Sequence, residues 1–112
     1  MAAIANLSID QGASFSSAVT VKNADGTGFN LTGYTAAAKM AKGYQSTKTR
    51  TTISATISDA ASGQVTLSLT PTQTSALDAE RYVYDLEITK TDSGAVTRVI
   101  EGIISVRPQV TT

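Results

Sequence analysis

Neither cysteine nor histidine occurs in this sequence. Without cysteine there is no disulfide framework and no thiolate metal site, so stability has to come from packing and backbone ladders. Without histidine the commonest general base, the usual catalytic triads and nearly every transition-metal site are excluded, leaving only carboxylate or lysine chemistry. Charge is also sparse, at 16% of residues, and nine Lys plus Arg balance nine Asp plus Glu. A neutral chain has no overall field to concentrate a polyanion or hold an anionic membrane, so neither nucleic acid nor a membrane is an expected partner. No run of about 18 apolar residues is present, and Met1-Ala2-Ala3-Ile4-Ala5-Asn6 has neither a basic n-region nor a long apolar stretch, so no membrane span or secretion signal is expected.

What is present is a folded composition, 41% hydrophobic over 112 residues, enough for one domain with one core across 1–112. Short stretches of period-2 alternation recur between Gly and Asp turn signals, about 8–12 residues apart, as in sandwiches and barrels. Strands are predicted over Ile4 to Ile9 and Ser14 to Lys22, the latter with Phe15, Val19 and Val21 in phase. Tyr34 to Lys42 puts Tyr34, Ala36, Ala38 and Met40 on one face; its alanines suit a helix, but its neighbours are strand-like and no cap precedes it, so it reads as a strand. Ile53, Ala55 and Ile57 alternate within Thr51 to Ser58, Asp59 to Gly63 reverses the chain, and Val65, Leu67 and Leu69 complete the clearest hairpin. Thr70-Pro71-Thr72-Gln73 combines a capping hydroxyl, a proline at the first helical position and a Gln three residues past the cap, which predicts one short helical turn.

Arg81 to Lys90 sets Tyr82, Tyr84, Leu86 and Ile88 against Val83, Asp85, Glu87 and Thr89, and Asp92-Ser93-Gly94 is the next turn. In Ala95 to Arg107, Val96, Ile100, Ile104 and Val106 share one phase while Val99 and Ile103 fall in the other. A bulge near Gly102, or burial on both faces, would account for that. The expected fold is all-β: an immunoglobulin-like antiparallel β-sandwich of about seven strands with one short helical turn.

No catalytic, cofactor-binding or metal residue is assigned. Asp85 and Glu87 project from the same side of one strand, as a paired-acid mechanism needs, but alternation against Tyr84 and Leu86 explains them as a solvated face. Lys39, Lys42, Lys48 and Arg50 lie in a stretch, Gly26 to Ser58, that contains no acid. No aromatic stacking platform accompanies them, so ordinary solvation is the plainer reading. Gly26-Thr27-Gly28 and Gly33 lack the helix and the Gly-Lys-Ser/Thr of a phosphate cradle. Asn6-Leu7-Ser8 and Asn30-Leu31-Thr32 match the glycosylation pattern by chance. Asp25-Gly26 and Asp92-Ser93-Gly94 each offer one carboxylate where Ca²⁺ needs several oxygens.

The runs Asn30-Leu31-Thr32-Gly33-Tyr34, Ile57-Ser58-Asp59 to Gly63-Gln64-Val65, Leu69-Thr70-Pro71-Thr72-Gln73-Thr74 and Tyr82-Val83-Tyr84-Asp85-Leu86-Glu87-Ile88, closed by Val106-Arg107-Pro108, span nearly the whole chain. In this order they resemble small virion proteins of tailed phages, specifically the amino-terminal domain of baseplate upper proteins. That domain attaches an appendage to the particle, and longer members continue into a stalk and a receptor-directed module. The resemblance implies assembly without catalysis. The chain is accordingly expected to be a virion structural protein, made in the host cytoplasm and placed at the baseplate, tail, neck or capsid surface. Its partners would be other virion proteins or further copies of itself in a symmetric multi-copy array. The expected contact elements are exposed edge strands and possible extended assembly arms at 1–8 and 107–112. The alternatives are an adhesin-like module whose Gly43 to Lys48 loop recognises a host surface protein or glycan, and a hydrolase built on Asp85 and Glu87.

Overall fold

Alternation decides which side chains meet. The computed structural model describes residues 3–43 and 49–111. Its elements are β1 (Ala3–Ile4), β2 (Leu7–Asp10), β3 (Phe15–Thr20), β4 (Tyr34–Ala41), β5 (Thr51–Asp59), β6 (Gln64–Leu69), α1 (Pro71–Ser75), β7 (Arg81–Lys90) and β8 (Val96–Arg107). Tyr82, Tyr84, Leu86 and Ile88 of β7 are buried, and so are Val65, Leu67 and Leu69 of β6. They meet Ile9, Val19, Leu31, Met40, Ile53, Ile100 and Ile104 in one core. The fold is all-β with one short helix, as the alternation predicts.

The strands form one sheet in the order β1-β8-β7-β4-β5-β6-β3, with β2 also alongside β8. β5 makes the sheet curl. Its residues Thr51, Thr52 and Ile53 pair with β4, and Ser54 to Asp59 pair with β6, so one strand changes partner along its length.

Three expectations change in detail. The sheet is mixed, because β1 and β2 lie parallel to β8: the first strands join the free edge of the last strand. Among the described residues there are eight strands, against the expected seven or so, because the first candidate, Ile4 to Ile9, is broken at Ala5-Asn6. There Ala5 donates its N–H to the Glu101 carbonyl (2.9 Å), and the Asn6 side-chain oxygen accepts the Ile103 N–H (3.0 Å) in place of a ladder bond. The bulge in β8 is at Val99, not Gly102: Leu86 pairs with Ile100 and Glu87 with Arg98, leaving Val99 opposite no residue. Gly102 stays in register with Tyr84. What it supplies is room, since a Cβ there would collide with the Ala5 carbonyl.

The helical turn has the predicted capping box. The Gln73 N–H donates to the Thr70 hydroxyl (3.2 Å), and the Thr70 N–H donates to Gln73 Oε1 (2.8 Å). One turn later comes Thr74, the only fully buried polar side chain among the described residues. Its hydroxyl lies 2.9 Å from the Ala13 carbonyl and 3.1 Å from the Pro71 carbonyl, fastening α1 to the turn between β2 and β3. Thr74→Val keeps the shape and removes the donor, so it is expected to cost about 1–3 kcal/mol, read as a lower urea midpoint at unchanged slope.

Two tyrosines lock the other end of the chain path. The Tyr82 hydroxyl accepts the Asp78 N–H (2.9 Å) and donates to the Asp78 carbonyl (3.2 Å), a contact of the tyrosine-corner type. The buried Tyr84 hydroxyl donates to the Ala5 carbonyl, holding the break between β1 and β2 against the sheet. Burial pushes the Tyr84 phenol up to about 12 from 10.0. The folded state therefore keeps this proton after the unfolded chain has lost its own. Stability from this group is whole below pH 10 and falls as pH rises from 10 towards 12. Urea midpoints across that window are expected to drop, with a smaller drop in Tyr84→Phe.

Candidate functional site: an open seam between two sheet edges

The two ends of the curled sheet approach each other without pairing. Among the described residues, β3 at one end has β6 as its sole strand neighbour, and at the other end β1 and β2 pair with β8 alone. Between these ends is a cleft of about 410 Å³, with Ala3, Ala5 and Leu7 on one wall and Ser17, Ala18 and Val19 on the other. Ile4, Ile100 and the charged Lys22 also line it.

β3 is an unguarded edge. Its ladder to β6 runs without a register break from Phe15↔Leu69 to Thr20↔Gln64, and no charge or proline occurs from Gln11 to Val21. Edge strands usually carry a charge, a proline or a bulge that discourages further pairing. Phe15, Ser17 and Val19 are the residues in phase with the buried Leu69, Leu67 and Val65. Ser17 therefore interrupts an apolar row with a small polar side chain beside the cleft.

The candidate arms differ. Ala3, Ile4 and Leu7 to Asp10 lie along β8; Met1 and Ala2 are outside the described residues. Arg107 ends β8 opposite Asp10, with its Nε 3.4 Å from the carboxylate. Past it, Gln109 donates its N–H to Gln11 Oε1 (3.1 Å), while Gln11 Nε2 donates to the Leu77 carbonyl (2.7 Å). Residues Pro108 to Thr111 are exposed, Val110 to 95%.

Asp85 and Glu87 share the outward face of β7, as their spacing requires. Asp85 is 3.4 Å from Arg98, which also reaches Glu101 at 3.7 Å. A hollow of about 60 Å³ borders Asp85, Lys39 and Val83, but Glu87 does not line it. Asp85→Asn, which weakens a partly exposed ion pair, and Glu87→Gln, on the same outward face, are each expected to move unfolding stability by at most about 1 kcal/mol, measured by urea titration.

The basic stretch is answered by acids from elsewhere in the chain. Lys42 bonds Asp78 and lies 2.8 Å from Glu80; the hydrogen bond to Asp78, then that to Glu80, pushes its ammonium well above the ordinary lysine range. Lys39 stands opposite Asp85 in the β4–β7 ladder, and Arg50 donates to the Gly43 carbonyl (3.1 Å). Lys48 is outside the described residues, as is most of the Gly43 to Lys48 loop. The Asn30 side chain accepts the Thr32 N–H (3.0 Å), an Asx turn that seats Leu31 in the core. Asp25 likewise accepts the Thr27 hydroxyl (2.6 Å) and N–H (3.0 Å), and these two bonds hold its carboxyl below the usual range. Among the described residues no group of three or more acids is placed to hold a metal.

Sequence reasoning missed Ser17, Gln11 and Thr74. Ser17 left a signal, the gap in the Phe15, Val19, Val21 phase; nothing in the sequence sets Gln11 or Thr74 apart from other polar residues. No family model matches the sequence, and no curated protein matches it.

Proposed function

We propose that this chain is a non-enzymatic structural protein of a tailed-phage virion, joined to other virion proteins through an open edge of its sheet. The observation that carries the reading is the β3 edge: six residues, uncharged and unbulged, beside a cleft of about 410 Å³. A free edge adds an extended segment through main-chain hydrogen bonds, with a pocket selecting alternate side chains. The motif order resembling the amino-terminal domain of baseplate upper proteins supplies the biological setting. Its residues have structural tasks in this chain: Asn30 makes a turn, Thr70 and Gln73 cap α1, and Tyr82, Tyr84 and Leu86 fill the core.

Such a protein acts in many copies at the baseplate, tail, neck or capsid surface, where symmetry turns weak contacts into a stable array. Quantitative mass spectrometry of washed particles tests this. The chain is expected at a copy number matching a symmetric ring or shell. Its absence from particles, together with binding of the isolated protein to host cells or glycans, would replace assembly with an adhesin-like role.

A further inference from the structure

The geometry points to the cleft beside β3 as the receptor for the segment after β8, Pro108 to Thr111, of a second copy of this chain. This deepens the assembly reading and rests on it. Three observations choose the occupant.

The far wall of the cleft is the chain's own Ala3 to Leu7. A lone extended segment enters such a slot, whereas the edge of another folded sheet would strike that wall. β3-to-β3 pairing of two domains is thereby disfavoured.

Among the described residues, the segment past Arg107 belongs to no strand, is exposed at every position and bends at Val110. Gln109-Val110-Thr111 places one apolar β-branched residue, 95% exposed, between two polar ones. That is the pattern of a strand with one side chain to bury, and Ser17 with Ala3 and Ala5 leaves a notch for it.

The segment cannot serve its own β3. β8 and β2 run parallel, both ending at the turn that begins with Gln11, where the Gln11 N–H meets the Arg107 carbonyl (3.0 Å). β3 leaves that turn in the opposite direction, and the segment has a proline and no glycine with which to reverse. Gln109 is held instead against that turn, its N–H on Gln11 and its side chain beside Gly12. A head-to-tail contact of this kind generates rings if the rotation closes and filaments if it does not.

The test uses two partly disabled chains. One, shortened after Arg107, keeps the cleft and loses the segment. The other, Ser17→Lys, keeps the segment and places a charge in the notch. If Ser17→Lys does not fold, Ala18→Lys, at an exposed position on the same edge, takes its place. The shortened chain is labelled with ¹⁵N and mixed with the unlabelled Ser17→Lys chain at ~1 mM, a concentration suited to a weak single contact. Amide shifts confined to Phe15–Thr20 and Ala3–Ala5 are expected, with at least a tenfold loss of affinity when the unlabelled chain also carries Val110→Asp. Absence of shifts at that concentration overturns the inference. So do equal shifts when the unlabelled partner also lacks the segment, which would mean edge-to-edge pairing. Detection of the protein in particles is independent of either result, so the docking model fails separately from the virion assignment.

Discussion

Leu86→Ala is expected to lower the free energy of unfolding by about 4 kcal/mol, in the upper part of the range for a buried leucine that leaves a cavity. Leu86 is fully buried on the strand that has β4 on one side and β8 on the other. Its ladder partners are Ala38 and Ile100. Ala38 is too small to swing into the vacated space. Ile100 lies next to the β8 bulge at Val99, where the backbone path is already set by an extra residue. Collapse around the cavity is therefore restricted, and the transfer and cavity costs both remain. Two comparisons isolate the cause. Leu86→Met, which conserves volume, should cost under about 1.5 kcal/mol. Val96→Ala, at a position 58% exposed on β8, should stay within about 0.5 kcal/mol. Urea titrations should return one common slope with separated midpoints; a Leu86→Ala loss near that of Val96→Ala would mean the core is repacked differently.

Alternation made the faces of this fold legible and left the neighbours hidden. Tyr82, Tyr84, Leu86 and Ile88 identify the buried side of β7 without any structure, because side chains two apart must share a face. The Thr70 and Gln73 box likewise declares α1, since both partners lie within four residues. Pairing partners are a different kind of information. Nothing local to Leu7 to Asp10 states that it lies parallel to residues 104–107, nearly a chain length away, or that β5 changes partner between Ile53 and Ser54. The seam follows from those two facts, so it was out of reach, although its polar interruption at Ser17 stood in the sequence. The acid-free stretch from Gly26 to Ser58 hid its partners for the same reason: Lys42 finds Asp78 and Glu80 across the fold.

Gly63→Ala should be comparably severe for a different reason, one that involves no loss of apolar contact. Gly63 closes the β5–β6 hairpin with φ at +80°, a conformation that costs a residue with a Cβ about 1–3 kcal/mol. The added methyl would also stand 2.5 Å from the Val21 carbonyl oxygen, 2.6 Å from that of Phe29 and 2.9 Å from the Phe29 nitrogen. All three are backbone atoms, and they are held in place: Val21 donates its N–H to Gly63 (2.8 Å), Phe29 to Val21 (2.8 Å) and Leu31 to Ala60 (2.7 Å). Three chain segments thus converge on a site with no flexible side chain to yield. Relieving the overlap means breaking bonds that seat Val21 and Leu31 in the core, and overpacking of this kind adds about 1–3 kcal/mol. The two costs together come to about 2–6 kcal/mol, a large part of the stability of a domain this size. Gly26→Ala separates them: Gly26 has φ at +89° but no atom within 4 Å of the new methyl, so only the conformational cost, about 1–3 kcal/mol, applies there. Thermal melts should place Gly63→Ala well below Gly26→Ala, at roughly 4 °C per kcal/mol of difference. Equal melting temperatures would mean the three segments move apart freely, and the hairpin would then not be what ties Val21 and Leu31 into the core.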